Sequence, residues 1–155
     1  VADLVSDGFI RVSWVVSISN INAPTVAELN AGTALQGYLT PDGLGVSADT
    51  AGVDNSKLSS TFTTMQAGRR SYDLSLTWIL QSPRVLEAVL VYQATGNLVV
   101  RREVLATTAW TIAQRVEVYP SQCGQPSPVY GVNEMQRRDL SLFCTADPAV
   151  DATVA

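Results

Sequence analysis

The sequence predicts a mainly β fold: an antiparallel β-sandwich or partial barrel with one flanking α-helix and a short second helix. Three observations carry this. About seven stretches alternate apolar and polar residues with a period of two, as half-buried strands do. Only two stretches carry helix start signals. The strands do not alternate regularly with helices, as a doubly wound α/β fold requires. With 155 residues, 46% of them hydrophobic, the chain is long enough to bury one core. A single domain is expected over residues 1–148, with residues 149–155 as a loose C-terminal tail.

Ile10 to Ile18 places Ile10, Val12, Trp14, Val16 and Ile18 on one side of a strand. Thr25 and Glu28 have capping-box spacing, so a helix of about two turns should follow Pro24 and close at a left-handed Gly32. So short a helix must dock, through Val26 and Leu29. Leu35 to Thr40 reads as a strand, and Pro41-Asp42-Gly43 as a turn. Pro41 to Ser56 reads as a long loop of Gly, Asp, Ser and Ala, with room for a short strand at Leu44 to Ala48. Loops of this length in a compact domain tend to carry function. Lys57 to Thr63 resumes alternation, and Gln66-Ala67-Gly68 breaks it.

Ser71 to Ile79 is the clearest strand. Tyr72, Leu74, Leu76 and Trp78 share one face, while Asp73, Ser75 and Thr77 share the other. Ser82-Pro83 then starts the flanking helix, whose apolar stripe includes Leu86, Val89 and Leu90 and which ends at Gly96-Asn97. Leu98 to Val104, Arg115 to Tyr119 and Met135 to Thr145 complete the strands, the last with Leu140, Leu142 and Cys144 inward.

Composition excludes much chemistry. There is no histidine, so Ser-His-Asp and Cys-His machinery is absent, and Cys123 with Cys144 cannot complete an ordinary zinc site. Both cysteines sit in strand-like runs and read as small buried groups. No phosphate-binding or dinucleotide motif is present. Asp49 and Asp54 are the one loop pair placed to hold a hard cation, but their spacing fits no EF-hand and a solvated loop is the plainer reading. Glu117 and Glu134 resemble a glycosidase pair only in the way any two carboxylates of a β protein do. The expectation is a non-enzyme without cofactor or metal.

Net charge is −4, which argues against a sequence-specific nucleic-acid binder. Lys57 is the single lysine. Arginine suits buried ion pairs, although codon bias of a GC-rich genome gives the same excess. Arg69-Arg70, Arg101-Arg102 and Arg137-Arg138 are candidate contacts to a neighbouring subunit; the plainer reading puts one member of each pair in solvent and the other at a sheet edge. Val1 to Phe9 lacks a targeting signal, and the apolar run at Leu86 to Tyr92 is too short to span a bilayer.

Ala23-Pro24-Thr25-Val26-Ala27-Glu28-Leu29-Asn30-Ala31-Gly32-Thr33 resembles the N-terminal signature of tail-tube (major tail) proteins of long-tailed phages infecting actinobacteria. Val116 to Gly124 is similar to that family's late strand. Asn133 to Arg137, leading into Leu140 to Phe143, is similar to its final strand. The resemblance spans about residues 20 to 148; Arg101 to Trp110 has no counterpart. It implies a sandwich with a flanking helix, forming hexameric rings that stack into a tube. One sheet per subunit would join a continuous β-barrel around a lumen through which double-stranded DNA passes on ejection, without sequence-specific binding. A long loop would reach the adjacent ring; here that is Pro41 to Ser56, with Asp42, Asp49, Asp54, Lys57, Arg69 and Arg70 as candidate contacts. The Asp73, Ser75, Thr77 face is the candidate lumen lining. Implied partners are further copies of the chain, a tape-measure protein and terminator or baseplate proteins, in a virion tail synthesised in the host cytoplasm, with no membrane. Rival readings are a tail terminator, another tube-like ring protein, and a β-sandwich carbohydrate-binding module. The last would need Trp110 as an exposed platform, since Trp14 and Trp78 point inward.

Overall fold

Val12 and Trp14 alternate with Ser13 and Val15 in β1 (Arg11–Val15), and all four are buried. A strand buried on both faces needs a layer on each side, and this dictates the rest of the architecture. The computed structural model describes residues 2–155. The order along the chain is β1, α1 (Val26–Asn30), β2 (Thr33–Ala34), β3 (Leu39–Asp54), β4 (Met65–Ile79), α2 (Leu86–Val89), β5 (Thr95–Arg101), β6 (Arg115–Cys123), β7 (Ser127–Val129), β8 (Arg137–Cys144) and β9 (Ala149–Thr153).

All strand pairs are antiparallel, in the order β2-β1-β5-β6-β8-β4-β3, with β7 also on β8 and β9 also on β6. The continuous sheet folds over itself between β6 and β8. Val12, Trp14, Leu98, Val100, Tyr119 and Cys123 from one half meet Leu74, Leu76, Trp78, Leu140 and Leu142 from the other, with Leu35, Leu86 and Leu90 plugging the cluster. Val15, Val99, Val116 and Val118 point the opposite way, into a second cluster closed by Leu29, Trp110, Ala149, Ala152 and Val154. The sandwich expected from the sequence is therefore present, with a second apolar layer behind its first half.

The helix after Pro24 forms as expected. Thr25 Oγ1 accepts from the Glu28 amide at 3.2 Å and donates to the Glu28 carboxylate at 3.0 Å. The carboxylate also accepts from the Ser19 amide and hydroxyl, so it ties the incoming chain to the helix. Leu29 is fully buried, with Val26 partly buried beside it. Gly32 does not adopt the expected left-handed conformation. Its lack of a side chain serves close approach: a Cβ there would lie 2.7 Å from Val15 Cγ2 and 3.0 Å from the Trp14 carbonyl.

Several expectations are corrected. Pro41 to Ser56 is not a loop but most of the 16-residue β3; its small residues pair with β4, which begins at Met65 rather than Ser71. Lys57 to Thr63 is the connection at the end of that hairpin, not a strand, and Gln66 to Gly68 lies within β4 beside a register shift between Thr50 and Gly52. The flanking helix is one turn, Leu86–Val89: valine at 85, 89 and 91 weakens helix propensity, and Thr95 to Asn97 pair with β6 instead. Leu35 to Thr40 yields only the turn after β2 and the first two residues of β3. Residues 149–155 are not a loose tail, because β9 pairs with β6 and buries Ala149, Ala152 and Val154.

Removing residues 149–155 should therefore cost about 2–4 kcal/mol, since it strips a layer from Val116 and Val118. A urea titration would show this as a lower midpoint. An unchanged midpoint would mean that β9 contributes nothing to the core.

Candidate functional site

Among the described residues, the distinctive features are surfaces. The first is the bare face of the sheet's second half. Register pairs Ser47 with Asp73, Gly45 with Ser75 and Asp49 with Ser71 across β3–β4. It pairs Asp73 with Phe143, Ser75 with Ser141 and Thr77 with Asp139 across β4–β8. Alternation puts all of these on the side opposite Leu74, Leu76, Leu140 and Leu142. Asp73 and Ser75 are exposed and Thr77 is half-buried, its hydroxyl donating to Asp139 at 2.7 Å. Over Gly45–Asp49, Ser71–Thr77 and Asp139–Phe143 this face carries Asp49, Asp73 and Asp139 and no cation, and Arg137, in phase with Asp139 and opposite Ile79, stands at its end. Phe143, 62% exposed, is its one large apolar group.

The second feature is an arm. From Val46 through Ser71 nearly every residue of the β3–β4 hairpin is exposed. β3 also ends the strand order, so its outer edge is unpaired among the described residues. Long free edges are pairing templates that proteins ordinarily cover. The end of the arm is nonetheless ordered. Asn55 donates its amide to the Thr64 carbonyl at 3.1 Å, and the Thr64 amide donates to Ser56 Oγ at 2.8 Å. The Ser56 amide donates to Asp54 at 2.8 Å, and hydrogen bonds from Ser56 hold the Asp54 carboxyl below its ordinary value. On this scaffold Leu58 is completely exposed and Phe62 is 75% exposed. Burying either would stabilise by about 1.5–3 kcal/mol.

The structure thus distributes the expected contact residues along the arm. Asp42 sits at its root, accepting from Thr40 Oγ1 at 3.1 Å. Arg69 and Arg70 lie midway, and Asp54 and Lys57 at the tip. Asp49 belongs to the bare face. Arg70 pairs with Asp147 at 3.0 Å, but both are largely exposed and the pair contributes little. The suggested carboxylate pair is not one: Glu117 is engaged by Arg102 and Tyr119, and Glu134 by Arg137.

Sequence reasoning missed a third arrangement. Arg11 and Arg101 are directly paired across β1 and β5, and like charges so placed repel. Both guanidinium groups lie over the Trp110 ring, 5.0 Å away for Arg11 and 4.9 Å for Arg101. Arg101 is fully buried without a carboxylate. It donates to the carbonyls of Leu105, Thr108 and Ala109 and to Gln114 Oε1, at 2.8–3.2 Å. Arg11 donates to the carbonyls of Ala106 and Thr108. Burial, and then the Arg11 charge, push the Arg101 pKa below its ordinary value. The two arginines therefore clamp the loop after β5. This corrects the expectation for Arg101, which is neither solvated nor at an edge. It also removes the carbohydrate platform, because Trp110 is 3% exposed.

Against known proteins, the phage tail tube protein family model matches residues 1–155. The chain belongs to the phage tail tube protein family. Membership marks it as a structural component of a phage tail and a part of the virion. No curated protein matches by sequence. A chain in the cryo-EM structure of the anti-feeding prophage baseplate, 6-fold symmetrised, superposes with a TM-score of 0.61 at 12% identity, over 96% of this chain and 95% of that one. Likeness at that identity establishes a shared fold. No helix among the described residues of this tail tube family member is long and apolar enough to cross a membrane.

Two outcomes follow from this geometry. Arg101→Met should destabilise the fold by about 3 kcal/mol, because it orphans several carbonyls, whereas Arg102→Met at the surface should stay within about 0.5 kcal/mol. Urea unfolding of both variants checks the contrast, and equal effects would contradict the clamp. Burial pushes the Cys123 thiol up to about 11 from 9.0. Its contribution to stability is thus complete below pH 9 and lost as pH rises through 11. Stability measured from pH 8 to 11.5 should fall across this window, and less steeply in Cys123→Ala.

Proposed function

We propose that this chain is the non-catalytic tube subunit of a long-tailed phage, of the type that infects actinobacteria. Six copies form a ring, and stacked rings form the conduit for genome ejection. The observation that carries the reading is the face bearing Asp73, Ser75 and Thr77, together with Ser47, Asp139 and Ser141. Small hydroxyls and carboxylates, with Arg137 at one end and paired to Glu134, suit a wall past which DNA must slide, since phosphate binding is built from Lys and Arg. The wall would give double-stranded DNA no sequence-specific contact. The free edge of β3 supports lateral joining of copies into a closed barrel, which removes the edge altogether. The arm, with Asp42, Asp54, Lys57, Arg69 and Arg70, reaches the adjacent ring. Tape-measure, terminator and baseplate proteins are the further partners.

A second reading is favoured by the structural likeness to a chain in a baseplate: a ring at the base or end of a tube rather than its repeating shaft. Negative-stain micrographs of the concentrated protein separate the two. Long hollow tubes are expected, and single capped rings would favour the second reading. Ser75→Cys in a Cys144→Ser background should react with a bulky maleimide polymer when unassembled and be shielded in tubes. Equal labelling in both states would remove the lumen assignment.

A further inference from the structure

The sequence contains two Asp–Gly bonds, Asp7–Gly8 and Asp42–Gly43, and no Asn–Gly bond. Aspartate before glycine is open to a spontaneous rearrangement, because no side chain on the next residue shields its amide nitrogen from the carboxyl. The fold sorts the two sites. Gly43 is buried, and a Cβ there would run into the Thr77 carbonyl and lie 2.9 Å from the Thr40 amide nitrogen. The Asp42 carboxyl is held by Thr40 Oγ1, which donates to it at 3.1 Å. Pairing with β4 fixes the main chain on both sides, at Leu39 and at Leu44. Asp7 and Gly8, by contrast, are both exposed, and a Cβ on Gly8 would meet no atom within 4 Å. They are the central residues of a turn closed by the Phe9 amide, which donates to the Ser6 carbonyl at 3.1 Å. Gly8 has a φ of 76°, which glycine adopts freely. The turn lies outside every strand, where the backbone yields most easily.

We propose that Asp7–Gly8 is a site of spontaneous isoaspartate formation and that the fold protects Asp42–Gly43 from the same reaction. The Gly8 amide nitrogen bonds to Asp7 Cγ. The carboxyl hydroxyl leaves with the amide proton as water, and a succinimide ring results. Water then adds at the Asp7 main-chain carbonyl carbon, and the bond from that carbon to nitrogen breaks. The chain now runs through the Asp7 side chain, one methylene longer, and the former main-chain carbonyl is a carboxylate. Nothing is oxidised, and the water lost is regained. The lengthened turn gives up its bond to the loop after β5, in which the Ala106 amide donates to the Gly8 carbonyl at 2.8 Å. The segment before β1 is thereby released, while Arg11 and Arg101 still clamp that loop. A virion component is not replaced after assembly, so the change accumulates with age.

The test ages the full chain in warm buffer, folded and in guanidinium, and digests it. Enzymatic methylation then counts isoaspartate in each peptide. Folded protein should gain label at Asp7 about tenfold faster than at Asp42, and unfolding should bring the two sites within about threefold, because the shielding of Asp42 belongs to the fold. Asp7→Glu should abolish the label at residue 7 and leave the unfolding midpoint unchanged, since glutamate closes a larger ring far more slowly. In the aged protein the Ala106 amide should exchange faster while β1 stays protected. Equal labelling of the two sites in folded protein, the same preference when unfolded, or no label at Asp7 would overturn the proposal. Unchanged exchange at Ala106 in labelled protein would overturn the release of the segment.

Discussion

Residues 46–71 form a two-stranded ribbon with almost no buried side chain. Isolated ribbons of this kind are marginally stable in water, and this one depends on its root. There Leu74, Leu76 and Trp78 of β4 and Leu140 and Leu142 of β8 lock into the inter-sheet core. The folded sheet is thus an anchor for a projecting element. Its first half is buried on both faces, by the second half on one side and by α1, β9 and the loop after β5 on the other. Its second half is covered on one face only. The asymmetry leaves one hydroxyl-rich acidic face, one free edge and one arm open to other copies.

The clamp around Trp110 belongs to the same economy of layers. A loop laid over the outer face of β1 and β5 carries backbone carbonyls that need donors where water is excluded. Arg11 and Arg101 supply them, and two cation–π contacts to the Trp110 indole offset part of the repulsion between this cross-strand pair. Arg101 therefore stabilises through hydrogen bonding to main chain rather than through an ion pair.

Period-two alternation made Trp14, Leu74, Leu76, Trp78, Leu140 and Leu142 legible as core, and the same alternation made Asp73, Ser75 and Thr77 legible as one face. The Thr25–Glu28 spacing foretold its cap. What failed has a common cause. Gly45, Ser47, Ala48, Gly52, Ala67 and Gly68 have neither apolar alternation nor turn chemistry decisive enough to reveal a strand whose stability comes from its partner. Val85 to Val91 carries a helical stripe on a sequence of β-branched residues, and pairing at Thr95 to Asn97 prevailed over it. Ala149, Ala152 and Val154 are small, so their burial shows no loud periodicity. Arg101 beside Arg102 gave no sign of its partner Arg11, ninety residues away in sequence. Asp139, Ser141 and Ser47 were readable in principle, being in phase with Asp73 and Ser75 once the register is known.

Amide hydrogen exchange on dilute and assembled protein tests the central claim most directly, that the arm is completed by other copies. Residues 46–70 should exchange within seconds in dilute protein and become protected on assembly, while β5 stays protected in both. An arm already protected when dilute, or still unprotected in tubes, would contradict the account.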